Sequence, residues 1–153
     1  MGFQLSGLPV EAFSHLFGLP DEDLRRRNIQ RLAAEPSFPC RISLIDAAPG
    51  EPVLLLPYEH LPVASPYRAS GPIFVRETVR ETAVFTNEVP HDMRKRLFSV
   101  RGYDEAGVML DADVVEGPVL ETLIERLFEH QRISYLHLHH ARRGCFACRA
   151  DRA

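Results

Sequence analysis

The segment Tyr135–His140 carries the densest set of side chains that could do chemistry. Successive side chains of a β-strand point to opposite faces, so His137 and His139 would share one face. Two imidazoles on one strand face are typical of sites that transfer protons or bind zinc. Cys145 and Cys148 follow, but a strand would turn these two thiols to opposite faces. We therefore predict no cofactor, with a zinc ion at His137 and His139 as the alternative.

A second group of polar side chains follows the apolar run Val53–Leu56. If the strand continues, Tyr58 and His60 share a face while Glu59 points away. A histidine at a strand end beside a carboxylate is a candidate general base. This pattern indicates that His60 could transfer a proton, with Tyr58 beside it.

A third group lies in a proline- and glycine-rich loop and on the strand after it. Tyr67, Arg68 and Ser70 offer hydrogen-bond donors in the loop, and Arg76 follows at the end of the strand. Guanidinium groups form paired hydrogen bonds with carboxylates and phosphates. Functional residues often lie on loops that a rigid scaffold positions, so this stretch favours binding of an anion.

Together these groups predict a pocket for a small anionic ligand. Its residues would be His60 and His137 as catalytic groups and, as ligand-binding groups, Tyr58, Tyr67, Arg68, Ser70, Arg76 and His139. The prediction requires His60 and His137 to lie within reach of one substrate. The sequence does not decide between an enzyme and a binding protein. Two alternatives are a metal-binding protein that uses His137 and His139, and a non-enzymatic interaction module that uses a sheet edge or an apolar patch.

The elements that must position these residues predict an α+β fold formed by one domain over residues 1–153. Short strands dominate and do not alternate regularly with helices, which favours a mostly antiparallel sheet. The expected strands are Arg41–Ile45, Val53–Leu56 and Ile73–Glu77, with hairpins at 97–115 and 133–151. A C-terminal amphipathic helix over about 118–130 and short N-terminal helices at 9–17 and 21–28 are expected to pack on this sheet.

Composition narrows the partners and the compartment. The chain has 18 basic and 21 acidic residues, a net charge of −3, and its two longest basic runs, 25–27 and 94–96, lie beside acids, so we expect no nucleic-acid partner. No apolar run reaches the roughly 20 residues that a membrane helix needs. An odd number of cysteines, three, does not suggest a disulfide framework, which favours the cytoplasm. The oligomeric state does not follow from the sequence.

Several segments of the chain resemble a known family. They include Phe38–Leu44, Leu55–His60, Ser65–Glu77, Asp111–Val115 and Gly144–Phe146, among which the run Ser-Gly-Pro-Ile-Phe-Val-Arg is the most specific. Over nearly its whole length the chain resembles the uncharacterised bacterial family numbered 1203 among domains of unknown function. The resemblance implies a small stand-alone bacterial domain and brings no activity or catalytic residue with it.

Overall fold

A computed structural model describes residues 2–153 of the chain. Short strands dominate these residues, as the sequence predicted. The strands are β1 (Phe3–Ser6), β2 (Gln30–Ala33), β3 (Pro52–Leu61), β4 (Ala69–Arg76), β5 (Val84–Thr86), β6 (Leu97–Tyr103), β7 (Met109–Glu116), β8 (Tyr135–His140) and β9 (Phe146–Arg152). The α-helices are α1 (Asp21–Arg26) and α2 (Leu120–Phe128), and 3-10 turns cover Val10–Ala12, Ser14–Leu16, His91–Lys95 and Gly117–Val119.

The strands form two sheets, and every strand pair within them is antiparallel. The larger sheet has the order β5-β1-β9-β8-β6-β7, and the smaller has the order β2-β3-β4. The mostly antiparallel architecture is confirmed, but there are two sheets instead of one. Strand β3 explains the second sheet, because its adjacent residues Val53 and Leu54 are both fully buried and the strand must be covered on both faces.

Helix α2 differs in its bounds from the predicted C-terminal amphipathic helix. Its α-helical part, Leu120–Phe128, is shorter than the expected 118–130, and it is not the C-terminal element, since the two strands expected after it, β8 and β9, follow. Pro118 lies in the 3-10 turn that precedes the helix, and the guanidinium of Arg152 hydrogen-bonds the carbonyl oxygens of Phe128 and His130 at its end. The apolar face of α2, with Leu120 and Ile124 fully buried, packs into the core of the six-stranded sheet.

The N-terminal helices pack on the other sheet. The two-turn helix expected at 9–17 is wrong, because two separate 3-10 turns replace it and Phe13 between them has a non-helical φ of −124°. Helix α1 ends at Arg26, close to the expected position. Phe13, Leu16 and Leu24 are buried together with apolar side chains of β3 and β4, so a second core lies on the three-stranded sheet.

Two loop details matter for the site. The strand expected at Arg41–Ile45 is wrong; these residues form a turn in which Leu44 has a φ of +57° and its N–H donates to the Cys40 carbonyl at 3.0 Å. Pro57 lies at an edge, because β2 pairs only with residues 52–55 of β3. Within residues 2–153, no helix has the length and apolar character needed to cross a membrane.

Candidate functional site

The structure brings three histidines together between the two sheets. His60 lies on β3, and its ring centroid is 6.0 Å from that of His137 and 4.9 Å from that of His139 on β8. Alternation along β8 places both of its histidines on the face opposite Leu136 and Leu138, which belong to the core beneath α2. The three residues are called the histidine cluster below. Its existence satisfies the condition that His60 and His137 lie within reach of each other.

Burial keeps the histidine cluster neutral. His137 and His139 are 3% and 1% exposed, and burial lowers the pKa of His137 to about 3 and that of His139 to about 4. Burial, together with the positive charge of Arg101, also lowers the pKa of His60. A charged imidazole would lose its hydration here and would face other positive groups, so the neutral form is favoured.

Hydrogen bonding in the histidine cluster is incomplete. The Nδ1–H of His139 donates to the carbonyl oxygen of Gly144 at 2.9 Å, which leaves its Nε2 as an acceptor. Within residues 2–153, that Nε2 and the Nδ1 atoms of His60 and His137 are buried without a hydrogen-bond partner. The phenyl ring of Phe146 stacks on His60 with a centroid separation of 5.4 Å. The cluster is therefore a set of neutral imidazoles in largely aromatic surroundings.

The cysteines do not complete a metal site with these histidines. Cys148 is buried in the core beneath α2, where burial raises the pKa of its thiol to about 12, whereas Cys145 is only partly buried. Over residues 2–153, no group of three or more His, Cys, Asp or Glu side chains is placed to hold a metal ion. Metal binding through His137 and His139 thus stays a prediction without a complete ligand set.

The two arginines expected to bind the anion are occupied by carboxylates. Arg68 is exposed and forms a two-fold hydrogen bond with Glu59 at 3.0 and 3.1 Å. Arg76 binds Glu51 at 2.8 Å. The sequence pattern could not show these pairs, because the acids lie 9 and 25 residues away along the chain. Their positive charges are already balanced within the protein.

The other expected ligand-binding residues lie apart from the histidine cluster or at its border. Tyr58 packs on Phe13 with a ring separation of 5.6 Å, and Ser70 lines a shallow surface pocket beside Pro57. Tyr67 is 40% exposed and touches the edge of Tyr103, whose ring in turn contacts His137. The predicted residues therefore do not line one common hollow.

A basic cavity of about 520 Å³ lies elsewhere, between the loop at 35–41, the start of β6 and the β8–β9 hairpin turn. Its charged and polar lining is mostly basic, with a single carboxylate. The lining residues are Glu35, Pro36, Ser37, Phe38, Pro39, Arg41, Phe74, Arg96, Leu97, His140, Arg142, Arg143 and Cys145. None of the three clustered histidines lines it, and this space is called the basic cavity below.

Arg41 is the most deeply placed charge of the basic cavity. It is 2% exposed, its Nε–H donates to the Phe146 carbonyl at 2.7 Å, and its Nη1–H donates to the Pro39 carbonyl at 2.6 Å. Its own N–H donates to the carbonyl of Phe74 at 3.0 Å. These bonds fix Arg41 where β4 of one sheet meets β9 of the other.

The charge of Arg41 has no carboxylate partner in the part of the chain that the structure describes. Burial lowers the pKa of its guanidinium to about 10, so the group is still charged at neutral pH. Carbonyl oxygens satisfy its N–H groups but do not neutralise a full positive charge. Burying a charge without a counter-ion costs roughly several kcal/mol of folding free energy.

The other cations of the basic cavity differ in their pairing. Arg96 binds Asp46 at 2.7 Å. Arg142 and Arg143 are exposed on the turn between β8 and β9 and form no ion pair among residues 2–153. His140 is neutral, since burial, reinforced by the charges of Arg41 and Arg96, lowers its pKa to about 3. The cavity therefore offers a ligand three guanidinium groups that form no ion pair among the described residues, beside the single carboxylate of Glu35.

Sequence reasoning did not find the basic cavity. The sequence predicts a strand at Arg41, the basic run that ends at Arg96 lies beside an acid, and Arg142 and Arg143 fall inside the predicted hairpin at 133–151. One sequence signal was present: this arginine pair has no acidic residue within five positions on either side.

Comparison with known proteins gives a family without a function. No match to the chain was found among curated proteins or among solved structures. The model of one family, described as protein of unknown function (DUF1203), matches residues 37–152, which is most of the chain and includes the basic cavity apart from Glu35 and Pro36. The chain belongs to the DUF1203 family.

Proposed function

We propose that the protein binds a small anionic molecule in the basic cavity. The observation that carries this proposal is the buried guanidinium of Arg41, a residue that lines the cavity and has no carboxylate partner among residues 2–153. A bound carboxylate or phosphate would supply the missing negative charge. The class of ligand is the one that the sequence suggested, but the residues proposed to bind it are different.

The arginines of the hairpin turn would complete the site. Arg142 and Arg143 are exposed and unpaired among the described residues, so they can move toward an anion without breaking an existing ion pair. Arg96 is already paired with Asp46 and would contribute less charge. We propose that Arg41 forms the fixed part of the anion site and that the two turn arginines form its adjustable part.

Catalysis by His60 or His137 remains a separate proposal. Both belong to the histidine cluster, and neither lines the basic cavity. A general acid or base must come within hydrogen-bond reach of the substrate. We therefore propose ligand binding for the basic cavity and leave proton transfer by the two histidines as a prediction.

The remaining expectations have less support. The large exposed apolar side chains lie on different elements, and they are Ile45, Tyr67, Val84, Val114 and Val119. No observation selects the interaction module over the anion site. The three cysteines are free, which agrees with the proposed cytoplasmic location.

Alkylation of Cys145 by iodoacetamide tests the proposal directly. Cys145 lines the basic cavity and is partly exposed, whereas Cys40 and Cys148 are 1% exposed. We expect selective alkylation of Cys145 in the folded protein. Inorganic phosphate, methyl phosphate or phenyl phosphate, titrated at constant ionic strength, should slow this reaction in a saturable manner. If none of the three anions slows it, the proposal is wrong.

A matched pair of double variants shows whether the cavity arginines are responsible. Arg142→Gln with Arg143→Gln should weaken phenyl phosphate binding at least about tenfold, since a charge-assisted hydrogen bond contributes about 1.5 kcal/mol or more. Arg25→Gln with Arg27→Gln makes the same change in net charge on exposed residues outside the cavity. Equal weakening in both double variants would show only a long-range charge effect and would contradict a local site.

A further inference from the structure

Apolar residues form the remaining wall of the basic cavity. Five apolar residues line it, and they are Pro36, Phe38, Pro39, Phe74 and Leu97. A site that binds only a phosphate or sulfate ion needs polar groups on all sides. Ligand pockets that combine an apolar wall with a few charged groups usually bind an organic molecule, with the charges fixing its orientation.

The apolar wall includes a flat aromatic surface. The rings of Phe38 and Phe74 are stacked with centroids 4.3 Å apart and planes 17° from parallel, and both side chains are only partly buried. Phe38 comes from the loop that also carries Arg41, and the carbonyl of Phe74 accepts the N–H of Arg41. The aromatic pair and the buried guanidinium are therefore held together by the backbone. A planar ring could stack on this pair while its charged substituent meets Arg41.

The volume also favours an organic ligand. At about 520 Å³ the basic cavity lies within the range of roughly 300–1,000 Å³ that is typical of small-molecule sites. An inorganic oxyanion would fill only a small part of it and would leave the aromatic pair without a contact.

We infer that the ligand is an aryl anion, an aromatic ring that bears a carboxylate or phosphate group. This inference rests on the proposed function and adds the chemical class of the ligand. The anionic group lies against Arg41 and the turn arginines, and the ring lies against Phe38 and Phe74.

Matched ligands separate the inference from the proposed function. Phenyl phosphate and methyl phosphate carry the same charged group, and only the first has a ring. Burial of the ring should make phenyl phosphate bind about 10- to 50-fold more tightly than methyl phosphate. Both affinities are measured as protection of Cys145 from alkylation by iodoacetamide. Benzoate should likewise bind more tightly than acetate, since only benzoate has a ring. Equal binding within each pair would overturn the inference and leave the anion site intact, whereas no binding by any anion would overturn both.

The Phe38→Ala variant locates the ring. It should reduce binding of phenyl phosphate to nearly that of methyl phosphate, while methyl phosphate itself keeps its wild-type affinity. The second measurement also checks the fold, since a misfolded cavity would lose both anions. If that loss is observed, Phe38→Leu, which keeps an apolar side chain of similar length, repeats the comparison. An unchanged preference for phenyl phosphate in a variant that still binds methyl phosphate would contradict stacking on this pair.

Discussion

Arg41 is the most deeply buried arginine among residues 2–153, and no carboxylate there neutralises it. Arg31 binds Glu77, and Arg76 binds Glu51, although both of these arginines are more exposed than Arg41. Arg41, with 2% exposure, has two carbonyl oxygens and no carboxylate among the described residues. Because an unpaired charge costs more in a less hydrated place, this residue has the strongest requirement for an external anion.

The buried histidines of the histidine cluster differ from Arg41, because they stay neutral instead of charged. Burial lowers the pKa of His137 to about 3 and that of His139 to about 4, whereas an unfolded chain would titrate near the ordinary value of 6.5. Between these values the unfolded state binds protons that the folded state does not. Stability therefore falls as the pH falls below about 6.5, and the loss continues toward pH 4.

We predict that His137→Leu reduces this acid sensitivity. Each such histidine can contribute a slope of up to about 1.4 kcal/mol per pH unit to the free energy of unfolding. Urea unfolding at pH 7 and pH 5 should show a smaller loss in the variant than in the wild type. The exposed His15 provides the control, because His15→Leu removes an imidazole that is not buried, and the loss of stability between pH 7 and pH 5 should be smaller in His137→Leu than in His15→Leu. An unaltered slope in His137→Leu would show that His137 is not a neutral buried group.

At the scale of elements, the loop that carries Arg41 is held by the segment after β1. The N–H of Leu8 donates to the Arg41 carbonyl at 2.8 Å, and Gly7 lies against Ile42, the residue after Arg41. A Cβ atom on Gly7 would lie 2.0 Å from the carbonyl oxygen of Ile42, which is backbone and cannot move independently. Gly7 therefore permits the close approach that sets the position of Arg41.

Gly7→Ala is predicted to destabilise the protein by about 3 kcal/mol, because overpacking against a fixed backbone forces the two segments apart. Protection of Cys145 by phenyl phosphate should weaken in parallel, provided that the measurement is made below the unfolding transition. Gly71→Ala is the matched control, since nothing lies within 4 Å of the new methyl group. A Gly7→Ala variant with wild-type stability and wild-type phenyl phosphate binding would contradict this account of the loop.

The local pattern of apolar and polar residues was sufficient to predict several strands and one helix. Alternation predicted the β6–β7 and β8–β9 hairpins, and the 3.6-residue periodicity identified the apolar face of α2. The expected strand at Arg41–Ile45 failed because a short apolar run gives no information about the left-handed turn at Leu44. The division into two sheets could not be predicted either, because it depends on pairing between strands that are far apart in sequence. Hydrophobic periodicity and secondary-structure propensity carry no information about such pairing.

At the scale of the whole molecule, the basic cavity is formed by segments that are far apart along the chain. The loop at 35–41, Phe74 on β4, the start of β6 and the turn at 142–145 meet only when the two sheets pack together. The histidine cluster was accessible to sequence reasoning because two of its members share one strand. The basic cavity was not, since each of its arginines has an ordinary surface explanation when its segment is considered alone.

The central claim is that Arg41 and the turn arginines bind an anion where the two sheets meet. Anomalous diffraction from crystals soaked in selenate tests it most directly, because the selenium position is located independently of the protein model. We predict a selenium peak in the basic cavity, with selenate oxygens within hydrogen-bond distance of the Arg41 guanidinium. Selenate bound only at other surface positions, with the basic cavity empty in crystals where neighbouring molecules leave it open, would contradict the claim.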